Sequence, residues 1–387
     1  MSAALVLFAI AAAWLAYVWI GYPLALALIS VLHRFRVAPG ENSYPTVSVL
    51  IAARNEAKDI GWKLAQTLAW DYPREQLEIL VGSDASTDGT DEIIRSQGDR
   101  RVRYARNDVR AGKNKTLNQL ALMANGELLF FTDANSYIEP NCLKKMVGYF
   151  SDPRVGCVTG LEQNAGNTAT SNLTMGSNAY LGYEAALDAL ESKLGSVLVC
   201  DGSIYCLRSS LFMRLDPELA NDLEHPIRIG TTGMKILYAP EARSFERCSN
   251  SPREEFARRR RIAGQGALAM WRLRHELHGL RLWQFISRKF LRWLTLVPLV
   301  TILTCSFLLR ANPLFGAFFA MQCAFYFICL IGIWMDGKSR FIAVLRLPFV
   351  ILSANLAVFI GVFDTLSGKT FAIWNIAEHS RGTGASA

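Results

Sequence analysis

The sequence predicts an α/β domain, a wound and mostly parallel sheet, carried between membrane-spanning helices. Three observations predict it. Four stretches contain no Asp, Glu, Lys or Arg: Met1 to Leu32, Trp293 to Leu309, Ala311 to Met335 and Leu347 to Phe363. Between the first two, short β-rich apolar runs alternate with helical segments, the pattern of a sheet whose crossovers are helices. Three of those strand-like runs stop at acids or amides, which sets polar side chains along one edge.

A bilayer core takes roughly 20 apolar residues in a helix. The first and third stretches reach that length, whereas the second and fourth suit a short, tilted or re-entrant passage. A cleavable secretory leader would open on basic residues, but here Arg34 and Arg36 follow the first run. The excess of Lys and Arg on the cytoplasmic side then puts the N-terminus outside and the charged middle of the chain inside. The expected organisation is a membrane helix over 1–36, a cytoplasmic domain over 37–279, an amphipathic helix over 280–293, further membrane helices over 294–366 and a tail over 367–387. If Leu347 to Phe363 spans, the tail lies outside; if it is re-entrant, "KTFAIWNIAEHSR" stays near the domain.

Residues 280–293 set Leu280, Trp283, Ile286, Phe290 and Trp293 at helical spacing, with Arg281, Arg288, Lys289 and Arg292 on the other face. That mixture predicts a helix lying in the cytoplasmic head-group layer. The chain carries a formal charge of +8 with 51% hydrophobic residues. Much of the positive charge lies at the membrane-facing end of the domain, so anionic lipid rather than nucleic acid is the expected partner. Eight cysteines, with no CxxC pair and no metal-ligand spacing, read as reduced and structural.

Within the domain, "TVSVLIAA" (Thr46 to Ala53) has almost no polar interruption, as a strand covered on both faces requires. "DIGWKLAQTLAW" follows as a helix with Ile60, Leu64 and Leu68 on one face. "LEILVGSD", "VRYARN" and "GELLFFTDAN" are the next strands, separated by helices opening at "TDGTDEIIRSQ" and "KNKTLNQLALMAN". In open α/β sheets ligands bind beyond the carboxyl ends of the strands. Asn55 and Glu56, Asp84, and Asp133 with Asn135 all fall at those ends. One such acid is a turn former; three on one rim predict a site. A dinucleotide-binding Gly-x-Gly-x-x-Gly and a Gly-x-x-x-x-Gly-Lys-Ser/Thr phosphate loop are both absent, since "AARNEAKDIG" occupies the place after the first strand.

In order and spacing, "PTVSVLIAARNE", "LEILVGSDASTDGT", "RAGKNKTLNQ" and "ELLFFTDANS" resemble the family 2 glycosyltransferases. The flanking helices look like the membrane-embedded branch that holds cellulose, chitin and hyaluronan synthases. The resemblance runs over about residues 45 to 295 and implies a GT-A fold, a nucleotide-binding α/β sheet. It implies that Asp84, Glu56 and Lys113 contact the nucleotide and that Asp133, in place of the family's Asp-x-Asp, binds Mg or Mn on the diphosphate. Asn135 stands where the family often has a second Asp; its carbonyl is a weaker ligand. Hard divalent ions take oxygen donors, which carboxylates and phosphates supply.

Further on, "LVCDGSIYCLRSSLF" resembles the acceptor-side loop, placing Asp201, Gly202 and Ser203 near the sugar. "LANDLEHPIRIG" resembles the stretch with the catalytic acid, assigned to Asp222 with Asn221 in place of a preceding acid and Glu224 as the alternative. An inverting transfer needs such a carboxylate to take the acceptor hydroxyl's proton and positive charge at the leaving diphosphate. In "EEFARRRRIAGQG", Arg261 matches the arginine of the family's Gln-x-x-Arg-Trp; the alternative for this basic run is a solvated helix face. The Gln and Trp are absent, which weakens the case for processive synthesis. The implied enzyme is an inverting transferase in a bacterial inner membrane, moving a sugar from a nucleotide sugar, UDP-linked, to a polysaccharide or lipid-linked acceptor. A single-sugar transferase acting on a lipid or polyprenyl carrier is the nearer alternative, and a nucleotide-binding scaffold without turnover the farther one.

Overall fold

The computed structural model describes residues 3–40, 44–165, 172–247, 252–334, 340–369 and 371. The first apolar run forms helices α1 (Ala3–Ala16) and α2 (Tyr22–Leu32), joined by one wide helical turn at Tyr17–Gly21. All seven side chains of β1 (Val47–Ala53) are buried, as its uninterrupted apolar run predicts. Helix α3 (Ile60–Leu68) leads to β2 (Leu77–Asp84), α4 (Thr90–Arg95) to β3 (Val102–Asn107), and α5 (Lys113–Met123) to β4 (Leu128–Asp133).

These four strands are parallel, in the order β3-β2-β1-β4. The chain steps outward from β1 to β3 and then returns to the other side of β1. That reversal opens a crevice above β1 and β4. Successive β1 residues serve opposite faces: Val49 and Ile51 pack with Ile60 and Leu64 of α3, while Leu50 and Ala52 pack with Leu117 and Leu120 of α5. Truncating one of these buried leucines to Ala would cost about 2–5 kcal/mol.

The second half of the domain adds β5 (Tyr137–Ile138), α6 (Cys142–Val147), β6 (Val155–Ala165), α7 (Asn172–Ser192), β7 (Tyr205–Arg208), α8 (Asn221–Thr231) and β8 (Lys235–Arg247). The sheet continues from β4 through β7, β6 and β8 to β5. Strand β7 runs antiparallel to β4 and β6, while β6 and β8 are parallel. Helix α9 (Pro252–Arg272) follows, then α10 (Gly279–Phe285) and α11 (Leu291–Trp293), which a wide turn at Ile286–Phe290 joins, then α12 (Leu296–Leu308), α13 (Pro313–Trp334) and α14 (Arg340–Leu366).

Among the described residues, three helical stretches are long and apolar enough to cross a membrane: Ala3–Leu32, Pro313–Gly332 and Pro348–Leu366. Gly279–Trp293 and Leu296–Leu308 form a pair bent by 56° that together would make a fourth. The last turn of α14 sits on α9. Arg260 Nε donates to Asp364 Oδ2 at 2.5 Å and Thr365 Oγ1 to the Gly264 carbonyl at 3.0 Å. Residues 372–387, most of the expected tail, lie outside the described residues.

The basic face expected to meet lipid is turned inward instead. Arg288 is 2% exposed and donates to Glu184, Asp188 and Glu191 of α7 at 2.7–2.8 Å. Arg292 donates to Glu184 at 2.5 Å, and Arg281 to the Pro226 carbonyl at 2.8 Å. Charges leave water only when partnered, and α7 carries the partners in "YEAALDALES". Tyr22 of α2 donates to Glu191 at 2.6 Å, so the same network reaches the first apolar helical stretch.

Candidate active site

Asp133 ends β4 at the crevice, partly exposed, and Oδ1 accepts from Lys113 Nζ at 2.5 Å. Lys113 opens α5 because Gly112, at φ 91, takes a backbone conformation that a side chain would strain. Burial pulls the Lys113 ammonium down, but Asp133, Asp222 and Glu246 outweigh it and hold the group above its usual value. Next to it, Asn114 Nδ2 donates to the carbonyls of Asp216 and Leu219 at 2.6 and 2.9 Å. The first turn of α5 is thereby tied to the loop that delivers α8.

Asp222 lies in the first turn of α8, half-buried. A Cβ added to Gly202 would stand 3.3 Å from its Oδ2, so the glycine at 202 lets the carboxylate lie against the 201–203 loop. Burial lifts the Asp222 carboxyl above its ordinary value; Lys113 opposes the rise and Asp201 adds to it. A carboxylate made more basic in this way suits proton abstraction. Arg261 on α9 feels both Asp133 and Asp222, although burial first and Arg258 next pull its guanidinium below the usual value. Among the described residues it makes no ion pair with either.

The structure places the other expected site residues as follows. Asp84 is 1% exposed, and its carboxylate accepts from the Ala111 and Gly112 N–H groups at 2.6 and 2.9 Å and from Asn107 Nδ2 at 3.1 Å. Its carboxylate thereby secures the loop before Lys113. Glu56 is buried in the turn after β1, where its N–H donates to Thr90 Oγ1 at 2.8 Å. Ser203 is buried, and its hydroxyl donates to Asp201 Oδ1 at 2.7 Å, which orients Asp201. Asn221 turns into the core, donating to Tyr205 OH at 2.7 Å. Glu224 is 0% exposed, accepts from the Asp216 N–H at 3.0 Å and pairs with Arg228 at 3.0 Å, away from the crevice rim where Asp222 lies half-buried. Asn135 is exposed on the turn after Asp133.

The Arg258–Arg261 run is not a solvated face. Arg259 pairs with Glu255 at 2.5 Å and Arg260 with Asp364. Arg258 stands 3.9 Å from Glu162 and 3.8 Å from Glu246. Those two acids, missed from the sequence, come from the parallel strands β6 and β8. Burial, then Asp201 and Glu246, hold the Glu162 carboxyl well above the usual carboxylate range.

The donor set can be weighed against a divalent metal. Among the described residues, no group of three or more His, Cys, Asp or Glu gathers to hold an ion. Asp133 keeps an oxygen that Lys113 does not use, and Asn135 offers an amide carbonyl beside it. All are hard oxygen donors, so the residues fit Mg or Mn that draws its remaining ligands from a substrate diphosphate and water.

The model for "Glycosyl transferase family 2" matches residues 48–207, and that for "Glycosyl transferase family group 2" matches residues 128–352, more than half of the chain. The chain belongs to the family 2 glycosyltransferases. This glycosyltransferase is 31% identical over 150 residues to a beta-monoglucosyldiacylglycerol synthase of Synechocystis, covering 38% of this chain and 30% of the relative. It is 28% identical to the probable glycosyltransferase YdaM of Bacillus subtilis, covering 52% of this chain and 50% of the relative. A hyaluronan synthase of Streptococcus pyogenes is 25% identical, with 51% and 49% covered. The chain thus spans half or less of the curated relatives it matches.

A solved structure, the mannosyltransferase PcManGT of Pyrobaculum calidifontis in complex with GDP-Man and Mn2+, aligns over 94% of this chain and 99% of its own. The TM-score is 0.74 at 22% identity. The transferase therefore has the GT-A fold, with apolar helices on either side of the sheet domain in sequence.

Proposed function

We propose that the chain is a membrane-anchored inverting glycosyltransferase that moves one sugar from a nucleotide sugar, UDP-linked, to a lipid-linked acceptor. The observation that carries this is the convergence of Asp222, the Lys113–Asp133 pair and Arg261 at the carboxyl edge of the sheet. Asp222 takes the acceptor hydroxyl's proton as its oxygen attacks the anomeric carbon. The diphosphate departs on the opposite side, toward Lys113 and Arg261. A divalent ion on Asp133 and Asn135 would supply positive charge to the leaving diphosphate.

The lipid acceptor is supported by the glycolipid synthase named among the relatives. It is also supported by Ile262, which is 51% exposed where polymerising relatives are expected to carry the acceptor-channel Trp. Polymer synthesis, as the hyaluronan synthase likeness would suggest, is the second reading. Arg34 and Arg36 after the first helix support a cytoplasmic domain. The contact between Asp364 and Arg260 supports a tail that begins on that same side.

The test is a screen of UDP-linked and GDP-linked sugars on purified protein in detergent with Mg or Mn, offered both lipid and oligosaccharide acceptors. Mass analysis should find a lipid with one added hexose. A ladder of repeating units would replace this reading with polymer synthesis, and no transfer from any donor would end it.

A further inference from the structure

Lys63 lies on α3, behind the crevice, and is 0% exposed. An ammonium carries three donors, and each finds an oxygen: Thr132 Oγ1 at 2.9 Å, the Ser136 carbonyl at 2.8 Å and Ser136 Oγ at 3.1 Å. These acceptors belong to the two residues that bracket the turn Asp133-Ala134-Asn135. The bracket is closed by further bonds. The Thr132 and Ser136 hydroxyls lie 3.0 Å apart, and Ser136 Oγ donates to the Asp133 carbonyl at 2.9 Å. From one turn along α3, Gln66 donates to the Ser136 carbonyl at 3.0 Å and accepts from the Ile138 N–H at 3.3 Å.

A buried charge with only neutral oxygens in contact is costly, and among the described residues Lys63 makes no ion pair with a carboxylate. Burial pulls its ammonium down to about 7, while Asp133 and Glu246, both facing the crevice, act to keep the proton. A neutral donor at one point cannot serve three acceptors. The lysine therefore does two things at once: it ties the ends of the turn together and sets a positive charge behind it.

We propose that Lys63 is a positioning residue for sugar transfer, clamping Thr132 to Ser136 so that the turn presents Asp133 and Asn135 to a metal-bound diphosphate. This rests on the metal-diphosphate role given to Asp133 above. Groups that hold a metal ligand from behind typically affect metal affinity by about 10–100-fold.

The test measures UDP binding to the full-length protein in detergent by calorimetry, with Mn2+ and with EDTA. Lys63→Met should lose at least about tenfold in Mn2+-dependent UDP affinity, with little change in EDTA and a donor KM that rises more than kcat falls. Lys63→Arg, which keeps a charge and several donors, should recover part of the loss. Lys63→Met that folds and binds Mn2+ and UDP like wild type overturns the proposal. If Lys63→Met does not fold, Ser136→Ala attacks the clamp from its other side; a smaller loss in the same readout supports the proposal, and unchanged affinity sinks it. Asp133→Asn separates the two ideas. If it abolishes Mn2+ dependence and Lys63→Met does not, only the clamp falls; if it leaves that dependence intact, the metal reading falls and the clamp with it.

Discussion

Two ionic assemblies in this protein use the same residue types for opposite ends. At the junction of α7, α2 and the α10–α11 segment, Arg288, Lys289 and Arg292 face Glu184, Asp188 and Glu191. Glu191 also accepts from Tyr22 OH and from the Leu198 N–H. Every carboxylate there has a cation or a donor in contact. In the crevice, Asp133, Glu162, Asp201, Asp222 and Glu246 share Lys113, Arg258 and Arg261. Burial raises Glu246 to about 7, with Arg258 opposing and Asp133 and Asp201 adding to the rise. A balanced, dry cluster holds helices together, whereas one with surplus acid has room for an incoming cation and a proton. Charge balance, more than charge count, separates scaffold from site.

That contrast breaks if the two assemblies respond alike to mutation. Asp222→Asn keeps the shape and removes the base, so transfer should fall by about 10²–10⁴ in kcat with the thermal unfolding midpoint unmoved. Transfer at the wild-type rate would take Asp222 out of the reaction. Arg288→Met does the converse. It leaves Asp188 and Glu191 buried without their cation, a loss of about 3–5 kcal/mol, seen as a lower unfolding midpoint in detergent. Molecules that remain folded should transfer sugar at close to the wild-type rate. A folded Arg288→Met protein with impaired turnover would show that the junction also shapes the crevice.

What the sequence disclosed follows the reach of each physical signal. Burial of a whole strand is written locally, so "TVSVLIAA" and "LEILVGSD" correspond closely to β1 and β2. Acids at strand ends were legible for the same reason, and the structure brings Asp133 to the rim as expected. Partner choice is not local. The cations at 281, 288 and 292 look lipid-facing until α7, about 100 residues earlier, supplies their acids and Pro226 its carbonyl. Glu162 and Glu246 become neighbours only through the parallel pairing of β6 with β8, in which Asn164 is opposite Glu246. Lys63 resembles any polar residue on an amphipathic helix, and its burial depends on a turn some 70 residues away. Asp84 stood at the right edge, but sequence does not show that the loop before Lys113 would claim both its oxygens.

The smallest effect tests the boundary between the two kinds of acid within one helix. Glu224 sits two residues from Asp222, yet it is sealed in the core, where burial raises it from an ordinary 4.5 to about 7 against the pull of Arg228 and the Asp216 N–H. The folded protein therefore holds a proton that the unfolded chain releases. Such a group contributes stability that is fully present below its unfolded value and is lost as pH rises through the folded one. Thermal unfolding should show stability declining as pH increases from about 4.5 to about 7. Glu224→Gln keeps a neutral, hydrogen-bonding side chain at every pH, so that part of the slope should flatten while transfer stays close to wild type. An unchanged slope would mean that Glu224 is ionised in place, with Arg228 balancing it as Arg288 balances the junction; lost transfer would return Glu224 to the list of candidate bases.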